Sequence, residues 1–357
     1  MNKKKNLMAV SLLALGSLLQ ANSIEIENAK VNFSGFIDAF YSYDLNRPDT
    51  SKRQDFLFNH NRHNEFNINL ALAKVSVEHE KYRANLALQA GTYPEDNYGH
   101  EPDNYQHLHE ANFGLSLNSE NSLWLDVGVF SSHLGFESAI SMDNYTLTRS
   151  LAAESSPYYL AGAKLTYIPS QEWELAAILS NGWQVIDKED GNSMLSLGTQ
   201  VIYTPNERTT LNWSTFIGSD EPDAQRRMRY FNNLFGEFVL DDSWSVIAGL
   251  DVGLLQKNKG SSSYDMWYIP SLLAKYTIDK EYALGMRAEF VHDSDGAVIA
   301  GNGHGAKTLG LSSNFDYMPQ KNVALRAEAR WLKDAHNAYN ENESSTLFIT
   351  GSLAVKF

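Results

Sequence analysis

Charged side chains recur in this chain at intervals of two: Arg227 and Arg229, Arg287 and Glu289, then Arg326, Glu328 and Arg330. In an extended strand that spacing places the groups on one face, so each set is a short ladder of guanidinium and carboxylate. Arg83, followed by Asn85 and Gln89, and Asn233, which follows Arg229, continue the pattern with neutral polar groups. Ladders of this kind either steer charged solutes or brace one another as ion pairs.

Signatures of covalent or acid–base catalysis are absent: the chain has no GxSxG, no HExxH and no phosphate-binding glycine loop, so no enzymatic activity is expected. His60, His63, His100, His107 and His109 gather in two polar stretches without fixed ligand spacing, and neither a metal nor another cofactor is expected there. DSDG at 293–296 lacks the later glutamate of a calcium loop. NGWQ at 181–184 and GSD at 218–220 read as turn chemistry.

The elements that would carry the ladders are legible from the start of the chain. Residues 1–23 hold lysines at 3, 4 and 5, an apolar run from Leu7 to Leu19, and small residues at Ala21 and Ser23. That order is a secretory leader, with cleavage expected after Ser23 or, second, after Ala21. The remaining 24–357 would form one domain with 26 Lys and Arg against 43 Asp and Glu, a net charge of −17, which argues against nucleic acid as a partner. Cysteine is absent, so stability cannot come from disulfides. No later stretch of about 18 apolar residues could cross a bilayer as a helix.

Alternation with period two runs through nearly the whole chain. In VNFSGFIDAFYSY, Val31, Phe33, Gly35, Ile37, Ala39, Tyr41 and Tyr43 share a face against Asn32, Ser34, Asp38 and Ser42. At the end, Leu347, Ile349, Gly351, Leu353, Val355 and Phe357 alternate with Thr350, Ser352, Ala354 and Lys356. One face suits lipid and the other water. ALAKVSVE at 71–78 loses its phase around Lys74, which suggests a bulge.

Connections alternate in length. Short ones fall at 78–81, 118–121, 168–171, 204–207, 241–243, 278–281 and 318–321. Longer polar ones fall at 45–63, 93–107, 132–156, 185–193, 219–226, 257–263, 294–306 and 336–344. These join sixteen strands, and the pattern predicts an all-β, antiparallel up-and-down transmembrane barrel with a water-filled lumen. Tyr82, Tyr167, Trp173, Tyr203, Trp244, Tyr276, Tyr282 and Tyr317 all sit beside short turns on the apolar parity, as one interfacial girdle.

The third long connection carries Leu134, Phe136, Ile140 and Leu147, too apolar for full exposure. It is expected to fold into the barrel and narrow it, with Glu137, Asp143 and Glu154 facing the arginine wall across a tight aqueous gap.

FSGFIDAFYSYDLNRP (33–48), FNHNRHNEFNINLALAK (58–74), LWLDVGVFSSHLGFESAISMDNYTLTRSLAAESSPYYLAGAKLTY (123–167) and NGWQVI (181–186) resemble the Putative beta-barrel porin-2, OmpL-like family, most specifically over 133–167. The resemblance implies a porin of the bacterial outer membrane passing small hydrophilic solutes or ions, and trimers, which are typical of sixteen-stranded porins. Leu353, Val355 and the terminal Phe357 look like the C-terminal signal read by barrel-assembly machinery. The competing reading, a non-channel barrel acting as adhesin or receptor, would call for longer outer loops. Most connections after the third are under about 14 residues.

Overall fold

The structure, a computed structural model, describes residues 23–299, 305–335 and 343–357. The expected leader, apart from Ser23, lies outside the described residues.

Sixteen antiparallel strands close into one sheet: β2 (Ala29–Asp44), β3 (Phe66–Glu78), β4 (Tyr82–Ala90), β5 (Leu108–Ser116), β6 (Leu123–Ser131), β7 (Tyr159–Tyr167), β8 (Trp173–Ser180), β9 (Ser196–Asn206), β10 (Thr209–Gly218), β11 (Arg229–Val239), β12 (Trp244–Gln256), β13 (Tyr264–Thr277), β14 (Tyr282–Asp293), β15 (Ala306–Gln320), β16 (Val323–Asp334) and β17 (Ser345–Lys356). A four-residue strand, β1 (Ser23–Ile26), folds back on β2. Each strand pairs with its sequence neighbour, and β17 pairs with β2, with Leu353 opposite Ala39 and Val355 opposite Ile37. The terminal Phe357 completes the seam by exchanging backbone hydrogen bonds with Gly35 (2.7 and 3.0 Å). Its ring lies where a Cβ on Gly35 would stand, so glycine makes that approach feasible. Closure satisfies the edges that hydrocarbon would otherwise leave unpaired, at several kcal/mol per group.

Burial shows which parity faces out. On β16, Leu325, Ala327 and Ala329 are exposed while Arg326, Glu328 and Arg330 are buried; β14 and β17 alternate likewise. The aromatic girdle is present on the outward face beside the short turns, partly as stacked or tilted pairs: Trp173 with Tyr203 (4.3 Å), Trp244 with Tyr276 (4.8 Å) and Tyr282 with Tyr317 (5.0 Å).

Two details differ from the sequence expectation. The irregularity in β3 lies at Asn69, where Asp38 pairs with Leu70 but Ala39 with Ile68; Lys74 keeps phase and points inward to Glu110 (2.5 Å). The alanines around Lys74 blur the pattern there, because alanine fits either face. A second bulge, at His109, shifts β5 against β4. The interior also departs from a uniformly wet face. In the half next to the long connections, inward Phe216, Phe231, Trp267, Ile269, Val291, Leu332 and Phe348 form an apolar cluster. They point inward because loop residues, Leu57, Leu134 and Leu151 among them, cover them there.

Leu272 is half exposed at the middle of β13, on the lipid side. Replacing it with arginine is expected to cost about 2 to 4 kcal/mol at the midplane. The loss should appear as a lower denaturant midpoint for the barrel folded in lipid vesicles.

Candidate functional site

The segment 132–158, between β6 and β7, runs through the barrel interior on contacts with successive inward faces. His133 bonds the Thr215 carbonyl of β10 (2.9 Å), the Gly135 amide donates to Asn233 of β11 (3.1 Å), and the Tyr145 hydroxyl donates to Glu237 of β11 (2.8 Å). Further along, Leu147 N donates to Asn314 of β15 (3.3 Å), Thr148 N to Glu328 of β16 (2.6 Å) and Leu151 N to Glu289 of β14 (2.6 Å). Ser141 Oγ reaches Asp38 of β2 (2.7 Å). A short helix, α1 (Leu151–Glu154), is capped by Ser150 Oγ, which accepts from Ala153 N.

Three wall glycines make room for it. A Cβ on Gly198 would meet the His133 ring, one on Gly249 the Phe136 ring, and one on Gly285 the Tyr145 carbonyl. The first two collisions involve side chains; the third is with backbone, which cannot step aside alone.

The predicted ladders sort into two kinds. Arg326, Arg287 and Arg330 are buried and paired within the wall: Arg326 with Asp316 (2.6 Å), Arg287 with Glu328 (2.9 Å) and Glu289 (3.2 Å), and Arg330 with Glu289 (2.6 Å). Each also donates to loop carbonyls: Arg326 to those of Ser141, Asn144 and Tyr145, Arg287 to that of Thr148, and Arg330 to that of Arg149. Arg83, on β4, is half exposed and pairs with Asp126 of β6. Asn85 bonds Asn112 (2.9 Å). Arg229 opens β11, whereas Arg227 lies before that strand, in the connection, bonded to Glu221. The run MRYF extends the alternation by eye, but pairing ends at Arg229 because the chain turns at 219–228.

The loop carboxylates do not meet the wall arginines as expected. Glu137 accepts from the Ser150 amide (2.9 Å) and hydroxyl, Asp143 pairs with Lys356 of β17, and Glu154 pairs with Arg149 of its own loop (3.3 Å). A buried guanidinium is better satisfied by several fixed carbonyls plus a neighbouring wall carboxylate than by a single mobile partner. The resulting charge pattern is a set of local pairs, not two opposed walls.

Sequence reading missed the first long connection. Residues of 45–65 also fill the interior: Leu57, Asn59, His60 and Asn61 are buried, and His60 Nε2 lies 2.8 Å from Asp38. Arg53, lying over the Phe348 ring at 3.9 Å, is pushed down to about 10 by its burial. Polar composition hid this, because the buried groups there are hydrogen-bonded asparagines and histidine. The other histidines are engaged separately: His63 accepts from Asp44 N, His100 bonds the Gln184 carbonyl, and His107 and His109 bond Gln89. DSDG is a turn whose Asp293 carboxylate accepts from the amides of Ala297, Val298 and Ile299, each at 2.8 Å. NGWQ places Trp183 and Gln184 at the interior, where Gln184 ties the Tyr158 amide to Asn97.

Two cavities flank this loop. One, of about 420 Å³, lies between residues 134–139 and inward Thr210, Phe235 and Glu237, and extends to Tyr158 and Ser156. The other, of about 340 Å³, lies among Phe56, Phe58, Ser156, Trp183 and Arg229. Ser156 lines both.

A closed sixteen-stranded barrel with an apolar belt, one aromatic girdle and an interior crossed by its third long loop defines a porin. The chain belongs to the Putative beta-barrel porin-2, OmpL-like family, whose model matches residues 30–357. It is therefore a protein of the bacterial outer membrane and a passive diffusion channel. The sequence matches no curated protein. Solved structures of the same fold include the outer membrane channel DcaP of Acinetobacter baumannii (TM-score 0.63, 11% identity, covering 94% of this chain and 100% of that one). The anion-selective porin of Comamonas acidovorans aligns with TM-score 0.64 at 9% identity over 92% of this chain and 100% of that one. Outer-membrane-expressed OmpT of Vibrio cholerae gives 0.62 at 11% identity over 94% and 100%.

Gly285→Val should displace Tyr145 and loosen the loop, and the expected outcome is a larger single-channel conductance in planar bilayers with the barrel still folded. Gly351→Val, where a Cβ meets no atom closer than 3.9 Å, should leave conductance at the parental value.

Proposed function

We propose that solutes pass between residues 134–139 of the inward loop and the β10–β11 wall, then past Ser156 to the outer mouth. The observation that carries this route is the pair of cavities with Ser156 common to both. The loop's hydrogen bonds to Asp38 of β2, Glu289 of β14, Asn314 of β15 and Glu328 of β16 close the opposite side.

The paired arginines of β14 and β16 contribute little charge selection to this route. Each buried arginine of β14 and β16 has a carboxylate within 3.2 Å, so the field at a passing ion is that of dipoles and falls off faster than that of single charges. The wall and loop groups first considered as a selectivity filter (Arg83, Arg287, Glu289, Arg326, Glu328, Arg330, Glu137, Asp143 and Glu154) act in this reading to hold the constriction in shape. Losing one partner of a buried pair costs about 3 to 5 kcal/mol, so Arg326→Ala acts on stability and loop position before it acts on ion preference.

The same reading includes cleavage of the leader near Ser23, insertion by barrel-assembly machinery through Leu353, Val355 and Phe357, and no catalytic role. Assembly as a homotrimer is supported by the shared fold with Vibrio cholerae OmpT, for which a trimer form has been solved.

Planar-bilayer recording tests the route. The parent should give stepwise conductance, and Ser156→Trp should reduce each step to about half or less by filling the neck between two cavities of ligand size. An unchanged step size places the passage elsewhere.

A further inference from the structure

At the outer end of β11 an arginine side chain makes no hydrogen bond among the described residues. The Arg229 guanidinium lies over the Trp183 ring at 4.6 Å, and its ionic partner, Asp220, stands at 3.7 Å, beyond hydrogen-bond reach. Its Nε is buried with no partner among the described residues. Nε of Arg287 and Arg330 likewise lacks a hydrogen-bond partner, but the terminal N–H groups of the buried arginines of β14 and β16, unlike those of Arg229, donate both to carboxylates and to loop carbonyls. A guanidinium presents five N–H donors in a planar fork, and leaving them unmade is costly unless something else receives them.

The surroundings define what that could be. The cavity of about 340 Å³ that Arg229 lines is walled by Phe56, Phe58, Trp183 and Val298, so most of its surface is apolar or aromatic. Trp183 is held on edge against Phe216 (5.0 Å) and Phe231 (4.9 Å), which fixes the ring beneath the guanidinium. Glu154 also lines the cavity, but it is taken by Arg149 and by the amide of Phe58 at 3.0 Å. Asp55 points to solvent with its side chain 96% exposed, beside Lys52. One cation is thus short of partners, while the carboxylates around it disfavour a second negative charge on a ligand.

We propose that this cavity is a binding subsite for a small monocarboxylate with a flat aromatic body, its carboxylate on Arg229 and its ring among Phe56, Phe58 and Trp183. A carboxylate matches the guanidinium fork, and the aromatic lining removes the ring from water. The inference deepens the channel reading by assigning a solute class to the outer mouth, yet binding is measurable without conduction.

Full-length protein folded in detergent, with closure checked by heat-modifiable migration, is titrated with benzoate, acetate and benzyl alcohol by calorimetry. Benzoate should bind saturably, and acetate and benzyl alcohol about tenfold more weakly or worse, since each lacks one half of the recognition. Arg229→Lys keeps the charge but loses the fork and the stack, and should weaken benzoate about fivefold or more. Benzoate binding no better than acetate, or unchanged by Arg229→Lys, overturns the subsite. Conductance in potassium chloride on the same preparation reports on the channel separately. A conducting protein that fails to prefer benzoate loses the subsite alone, and a benzoate-binding protein that fails to conduct loses the channel alone.

Discussion

Backbone amides and carbonyls left unpaired in hydrocarbon cost several kcal/mol each, and this constraint shapes the molecule from end to end. It forces the strands into a ring, so β17 must find β2, and the pairing of Phe357 with Gly35 finishes the last turn of that seam. It also fixes parity: once one face is committed to lipid, Arg287 and Glu289 of β14 and Arg326, Glu328 and Arg330 of β16 must point inward. The ladders of arginine and carboxylate follow from membrane closure before they serve any solute.

Closure creates a second problem, which the long connections solve. A ring of sixteen strands encloses more space than its own side chains fill. Here the outer half is filled by the segments 45–65 and 132–158, whose apolar residues meet inward aromatics from β10 to β17. Their polar backbone cannot enter such a place unpaired, and the buried guanidinium groups of Arg287, Arg326 and Arg330 donate to the loop carbonyls. The pairs that look like a selectivity filter in sequence are thus the anchors of a loop. The proposed passage is what remains open beside it.

Most of the barrel was legible because period two is enforced by lipid at each strand: strand number, alternating connections, girdle and seam all follow from residues such as Leu353, Trp244 and Tyr276. The inward course of 132–158 was legible from Leu134 and Leu147, which need cover. What escaped was decided by contacts between segments far apart in sequence. Nothing local marks Gly285 as the seat of Tyr145, or Asn61 as a buried group, and alanines around Lys74 concealed that the bulge belongs to Asn69. The partners of Glu137, Asp143 and Glu154 were misjudged for the same reason, since opposite charge alone does not say which arginine is within reach.

The central claim is that residues 132–158 occupy the interior and bound the passage. The chain has no cysteine, so a single Ser138→Cys substitution, at a residue lining the larger cavity, gives one reactive thiol. Small charged methanethiosulfonate reagents are then added during single-channel recording. The account predicts a stepwise, reductant-reversible fall in conductance on reaction. A thiol that reacts fully while conductance stays constant would contradict it.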